Sequence, residues 1–160
     1  LTTEGDMKEF QYLKENQVYA IAPYYLGGYS SVLITEKGRL LSKKNVNEIM
    51  NRFCIMNGST LAGCLQATRE TTGFVKNPPI MLSPKGLFAM QLPCFGFKEV
   101  VWVFSLNFLT QTTANGPIKI VFQHNHYVEV NASEEMMQRY RWKLLELQYL
   151  YNQIEPDYLK

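Results

Sequence analysis

The sequence predicts an α+β protein, an antiparallel β meander with a central helical pair and a long C-terminal helix. Three observations carry that expectation. Short runs of β-branched and aromatic residues alternate with turn residues over 18–42 and 80–130. Two amphipathic helical patterns lie between Asn45 and Gly73, and an apolar stripe with spacings of three and four runs from Met137 to Ile154. At 160 residues, 46% of them apolar and 13% aromatic, the chain is expected to form one domain over 1–160 with a polar lead at 1–16. A chain of that length buries about two-thirds of the surface its unfolded form exposes, so no disulfide is needed.

After the polar lead, Val18 to Tyr24 reads as a strand ending near Pro23, and Gly27-Gly28 breaks it. Tyr29 to Thr35 is the next strand. Glu36-Lys37-Gly38 has the length and the glycine of a hairpin loop into Arg39 to Ser42, which is expected to bring Lys37 and Arg39 close to Lys43 and Lys44. Asn45 then offers a side-chain cap, with Glu48 as the reciprocal partner of a capping box. Val46, Ile49, Met50, Phe53 and Cys54 follow on one helical face, so Cys54 reads as core, while Arg52 falls off the stripe.

A second helix is expected from Ser59 to Thr72, with Leu61, Leu65 and Thr68 on one side and Gln66, Arg69 and Glu70 on the other. Gly73 stands at the left-handed C-terminal position, followed by Phe74 for the accompanying hydrophobic contact. Gly63 inside this helix costs about 1 kcal/mol relative to alanine. A close approach, of another element or of a ligand, would explain it. Pro78-Pro79 then forces the chain into an extended form.

Ile80 to Leu82 and Leu87 to Leu92 read as strands around a turn at Ser83-Pro84-Lys85-Gly86. Val100, Trp102, Phe104, Leu106 and Phe108 alternate along one strand face, Ile118, Ile120 and Phe122 do the same, and Tyr127 to Val130 returns from a tight turn at His124-Asn125. The last helix opens at Ser133, with Glu134 and Glu135 at the positive end of its dipole. Its stripe of Met137, Tyr140, Leu144, Leu147 and Tyr151, widened by Trp142, Leu145, Tyr149 and Leu150, is more apolar than one domain face requires. Met137, Tyr140, Leu144, Leu147 and Tyr151 are therefore expected to serve both the core and a homodimer contact.

The net charge of +2 is unevenly distributed: residues 37–98 hold nine Lys and Arg against two acidic residues, a balance of +7, whereas residues 1–36 balance at −3. A block this basic suits a polyanion, and Lys43, Lys44, Arg52, Arg69, Lys76 and Lys85 are its candidate contacts. The alternative is a scatter of solubilising charges, since clustering in sequence need not be clustering in space. Three cysteines without close pairing fit a reducing compartment, and no secretory leader or membrane span is expected. Met7 is expected to mark the effective start of the folded chain.

His124 and His126 lack further ligands at zinc-site spacing, and no nucleotide-binding glycine loop or nucleophile elbow is present. No metal, no cofactor and no enzymatic activity is expected. The helical pair joined at Gly58 has the outline of a helix-turn-helix, but Ser59-Thr60-Leu61-Ala62-Gly63 lacks the Arg, Asn or Gln that reads base edges in the major groove.

Gly58-Ser59, Gly63, Ala67, Thr68, Gly73, Lys76 and Pro79-Ile80, followed by a β segment ending near Leu92-Pro93 and by Trp102 on the next strand, resemble the core of the competence transcription factor family, ComK. The similarity runs over roughly residues 17–153 and is most specific from Arg52 to Leu92. It implies a cytoplasmic transcriptional activator of DNA-uptake genes that binds A/T-rich double-stranded DNA, chiefly from the minor groove, as a homodimer or dimer of dimers. It adds Ser59 to the DNA-binding candidates, and RNA polymerase and a protease adaptor to the expected partners. Two departures stand out: Gly63-Cys64-Leu65 replaces the family's Gly-Arg-Lys, and Val100 replaces the cysteine two residues before Trp102. A divergent paralogue acting as a protein-interaction module without DNA binding is the alternative.

Overall fold

The computed structural model describes residues 4–159 apart from 84, 105, 115 and 116, with side chains described between 8 and 152. The expected α+β class and antiparallel pairing are found. Helix α1 (Glu4–Glu15) precedes strands β1 (Val18–Pro23), β2 (Ser31–Thr35) and β3 (Gly38–Ser42). Helices α2 (Val46–Met56) and α3 (Leu61–Thr72) follow, then β4 (Ile80–Ser83), β5 (Leu87–Pro93) and β6 (Val100–Val103). Strands β7 (Leu109–Gln111), β8 (Ile118–Val121) and β9 (Tyr127–Val130) lead to helix α4 (Glu134–Leu159).

Two three-stranded meanders are joined edge to edge by β1 and β6, giving a six-stranded sheet in the order β3-β2-β1-β6-β5-β4. Strands β7, β8 and β9 form a second, separate sheet. Every residue of β1 and β2 is buried, because the larger sheet is covered on both faces. On one face Ile21, Leu33, Ala89 and Trp102 pack with Leu13 of α1, Ile49 and Met50 of α2 and Cys64 of α3. On the other, Val32, Ile34, Met90 and Val103 pack with Ile120 and Val128 of the small sheet and Leu144 and Leu147 of α4. The large sheet is thus the middle of three layers.

Several local expectations need correction. The polar lead is helical from Glu4, ahead of Met7. It is held by Leu13 in the core, by Tyr12 Oη within 2.8 Å of Thr35 Oγ1, and by an ion pair of 3.2 Å between Glu9 and Lys44. The alternating run from Val100 to Phe108 is not one strand. Phe104 packs on the helical side of the large sheet and Phe108 on the other, so the chain must leave β6 to change faces before β7 begins.

Within the helical pair, Asn45 Oδ1 accepts from the Glu48 amide at 2.9 Å as expected. The second helix starts at Leu61, and its cap is Thr60, whose Oγ1 accepts from the Gly63 amide at 3.0 Å; Ser59 lies outside it. The neighbours that crowd Gly63 are local: a Cβ there would meet Ser59 Oγ at 2.9 Å and Thr60 Oγ1 at 3.1 Å. Gly73 sits at φ 79°, and its amide donates to the Arg69 carbonyl at 3.0 Å. Cys54, Cys64 and Cys94 are all free, and Cys54 is fully buried. A hydrogen bond between the Cys54 and Cys64 thiols, together with burial, pushes Cys54 up, while the same bond, helped by one with Ser59, draws Cys64 down to about 6 against the opposing effect of burial.

Candidate nucleic-acid interface

Strand register fixes which candidate residues share an end of the large sheet. Ser42 pairs with Ser31, Ser31 with Pro23, and Pro93 with Val100, so these residues form a row across it. Lys43 and Lys44 leave β3 at that row. On the opposite edge, Gln91 of β5 donates from Nε2 to the Pro78 carbonyl at 2.8 Å, tying the segment before β4 to the same end. Lys76 is two residues from that anchor.

Around Lys76 the fold gathers further cations. Arg69, in the last turn of α3, donates from Nε to the Val75 carbonyl at 3.3 Å. Lys76 shares a cavity of about 120 Å³ with Met136, Arg139, Tyr140 and Lys143 of α4, and none of these lining residues is acidic. Lys143 Nζ lies 5.5 Å from the centre of the Phe74 ring and 5.4 Å from that of Tyr140. Each such cation–π contact contributes about 0.5–1 kcal/mol at an exposed site and fixes where the charge sits. Arg69, Lys76 and Arg139 are exposed. Three chain segments thus deliver four cations to one place, one of them, Lys143, held against two aromatic rings.

Six of the seven sequence candidates divide between the two ends of the sheet. Lys43, Lys44, Arg69 and Lys76 lie at the end just described, on its two edges. Lys44 is partly spent there: its Nζ is paired with Glu9, and its side chain is only 24% exposed. Lys85 sits in the hairpin between Ser83 and Leu87, at the far end. Ser59 is at that far end too, because the last turn of α2, at Phe53 and Met56, lines one 660 Å³ groove with Gly86 and Leu87. Arg52 points outward on the helical layer, its guanidinium 5.7 Å over the Phe10 ring of α1. Convergence of all seven on one face does not occur.

The expected proximity of Lys37 and Arg39 to Lys43 and Lys44 also fails, since β3 separates them along its length. Arg39 instead donates from Nη2 to the Tyr127 carbonyl at 2.9 Å and lies 4.9 Å over the Tyr127 ring. Lys119 approaches the same ring at 4.3 Å. Arg139 and Lys143 were missed in the sequence because their stretch is electrically neutral. Their i, i+4 spacing on one helix was the available signal.

The five residues expected to serve core and homodimer together are mainly core. Met137, Leu144 and Leu147 are buried within this chain, and Tyr140 and Tyr151 pack against the same cluster. Among the described residues, the exposed large apolar side chains of α4 are Trp142, Leu145 and Tyr149. Among the described residues, no group of His, Cys, Asp and Glu could hold a metal ion, and no helix is long and apolar enough to cross a membrane.

Arg69, Lys76, Arg139 and Lys143 thus stand together at one end of the large sheet of this α+β scaffold. The sequence matches the family described as ComK protein over residues 9–155, and the chain belongs to that family of competence transcription factors. No curated protein and no solved structure matches it.

Proposed function

We propose that this chain is a single-domain transcription regulator that binds A/T-rich duplex DNA across the end of the large sheet, between Lys43 on one edge and the Arg69, Lys76, Arg139 and Lys143 cluster on the other. The observation that carries this reading is the gathering of four cations from α3, the following loop and α4, with no carboxylate among the residues lining the cavity that Lys76, Arg139 and Lys143 share. Five strand spacings of about 4.8 Å separate the two edges, about 24 Å in all. At about 3.4 Å per base pair along each strand, that spans about seven base pairs.

Entry from the minor groove follows from the chemistry available. Arg and Lys gain from the enhanced negative potential of a narrow A-tract groove without needing base-edge contacts. The first turn of α3, the element a helix-turn-helix would insert, carries no bidentate reader, and the turn before it lies at the end away from the cation cluster. A second reading, a protein-interaction module without DNA binding, is favoured by exposed Trp142, Leu145 and Tyr149 on α4. The same face, rather than the buried stripe, is where a homodimer contact would form.

A gel-shift assay on an A/T-rich duplex separates the readings. A drug occupying the A/T minor groove displaces the protein, whereas replacing thymine by uracil, which removes only the major-groove methyl, leaves the shift unchanged. Insensitivity to the drug with a tenfold loss on uracil substitution, about 1.4 kcal/mol, would place the contact in the major groove. Absence of any shift leaves the interaction-module reading.

A further inference from the structure

The exposed apolar side chains include a group at the centre of the proposed DNA edge. Leu26, in the loop after β1, is 67% exposed and its neighbour Tyr25 42%; Phe95 and Phe97, in the loop between β5 and β6, are 48% and 44% exposed. These two loops are adjacent because β1 and β6 pair, and β1 and β6 are the two middle strands of the six. The Tyr25 and Phe97 rings pack with their centres 5.0 Å apart. Gly27, Gly28 and Gly96 adopt φ of 64°, 83° and 74°, turning both loops sharply at their tips. The loop carries one carboxylate, Glu99, which accepts from Tyr25 Oη and so holds that phenol above its usual range; Lys98 precedes it.

A cluster of exposed large apolar side chains marks a binding surface. Its flanks say what it binds. Lys43 lies two strands away on one side, and the Arg69, Lys76, Arg139 and Lys143 cluster two strands away on the other. An apolar centre between two cationic borders complements a duplex, in which base faces lie between two rows of phosphates. Proteins that approach the minor groove use Phe and Leu as wedges that partly unstack a base step and bend the duplex.

Resting on the reading of this edge as the DNA interface, we propose that Leu26 and Phe95, backed by the packed Tyr25 and Phe97 rings, press into one base step of the bound duplex from the minor groove. Pyrimidine–purine steps such as TA unstack most easily. The preference for A/T-rich sequence then has a second origin besides groove width, in the ease of opening a TA step beneath the two loops.

The experiment uses an A/T-rich duplex with 2-aminopurine in place of adenine at a central TA step and fluorophores at both ends. Wild-type protein is expected to raise 2-aminopurine emission and shorten the end-to-end distance. Leu26→Ala with Phe95→Ala should abolish both signals and weaken binding by about tenfold, as loss of an aromatic contact to a base does. The single Leu26→Ala variant, at the most exposed position, guards against misfolding and should reduce both signals. Wild-type binding without emission change or bending would overturn the wedge while sparing the DNA reading. Retention of both signals in the double variant would overturn it as well, as would a change in self-association alone. Failure of wild-type protein to bind any duplex would remove the DNA reading itself.

Discussion

Gln91 Nε2 donates to the carbonyl of Pro78 at 2.8 Å, and both residues are buried. This bond fastens the irregular segment between α3 and β4 to the large sheet. Asn77 beside it holds φ at 47°, and Lys76 follows from that geometry. Replacing Gln91 by leucine keeps the volume and strands the Pro78 carbonyl. The expected loss is about 1–3 kcal/mol of folding stability, read as a lower urea midpoint, together with weaker DNA binding because Lys76 is no longer held against α4. An unchanged midpoint would mean that the carbonyl finds water instead.

Glu9 of α1 neutralises Lys44 and also accepts from the Ser42 hydroxyl. The pair is largely shielded, with Glu9 10% exposed. Glu9→Gln should cost about 1–3 kcal/mol of stability, between the values for surface and buried pairs. It should also release Lys44 toward the DNA edge and steepen the salt dependence of binding by about one unit of slope. Weaker binding at an unchanged slope would show that Lys44 does not reach the nucleic acid.

Two glycines of α3 should respond oppositely to alanine. At Gly73 the left-handed backbone makes Gly73→Ala destabilising by about 1–2 kcal/mol. At Gly63 the backbone is helical, and only the Ser59 and Thr60 hydroxyls crowd a Cβ. Combining Gly63→Ala with Ser59→Ala removes the tighter contact and should stabilise the protein by about 0.5–1 kcal/mol. Thermal unfolding of the three proteins tests this pair of signs.

The helical pair was legible because its signals are local: the Asn45 cap, the stripe from Val46 to Cys54, and Gly73 at a C-terminus. The hairpins were legible for the same reason. What the sequence concealed is non-local. Nothing in Ala20 or Ile21 announces pairing with Val103 and Trp102, more than 80 residues away, and that pairing turns two meanders into one sheet. Helix α1 was hidden because its apolar contribution is small, with Leu13 its buried apolar residue among those described. Half of the cation cluster was legible as Arg69 and Lys76. Arg139 and Lys143 join it only through the path of α4 over β4 and β5.

Helix α4 has two faces with different roles. Leu147→Ala should cost about 2–5 kcal/mol, because Leu147 is fully buried in the core cluster on that side of the large sheet. Trp142→Ala with Tyr149→Ala, at exposed positions, should leave the melting temperature within a few degrees. If the proposed homodimer uses that face, light scattering finds a dimer in the parent protein at micromolar concentration and a monomer in the double variant. A parent protein that is monomeric without DNA would remove the homodimer.

The most direct test of the central claim compares the two ends of the large sheet at equal net charge. Lys76→Glu with Arg139→Glu and Lys37→Glu with Lys85→Glu each change the charge by the same amount, the first pair in the cation cluster and the second in the hairpins at the far end. Fluorescence anisotropy with an A/T-rich duplex, titrated at several salt concentrations, gives affinity and slope for each. The first variant is expected to lose binding at physiological salt, its slope falling by at least about 2, while the second stays close to the parent protein. Loss of binding in the hairpin variant with retention in the cluster variant would contradict the claim and place the interface at the opposite end of the sheet.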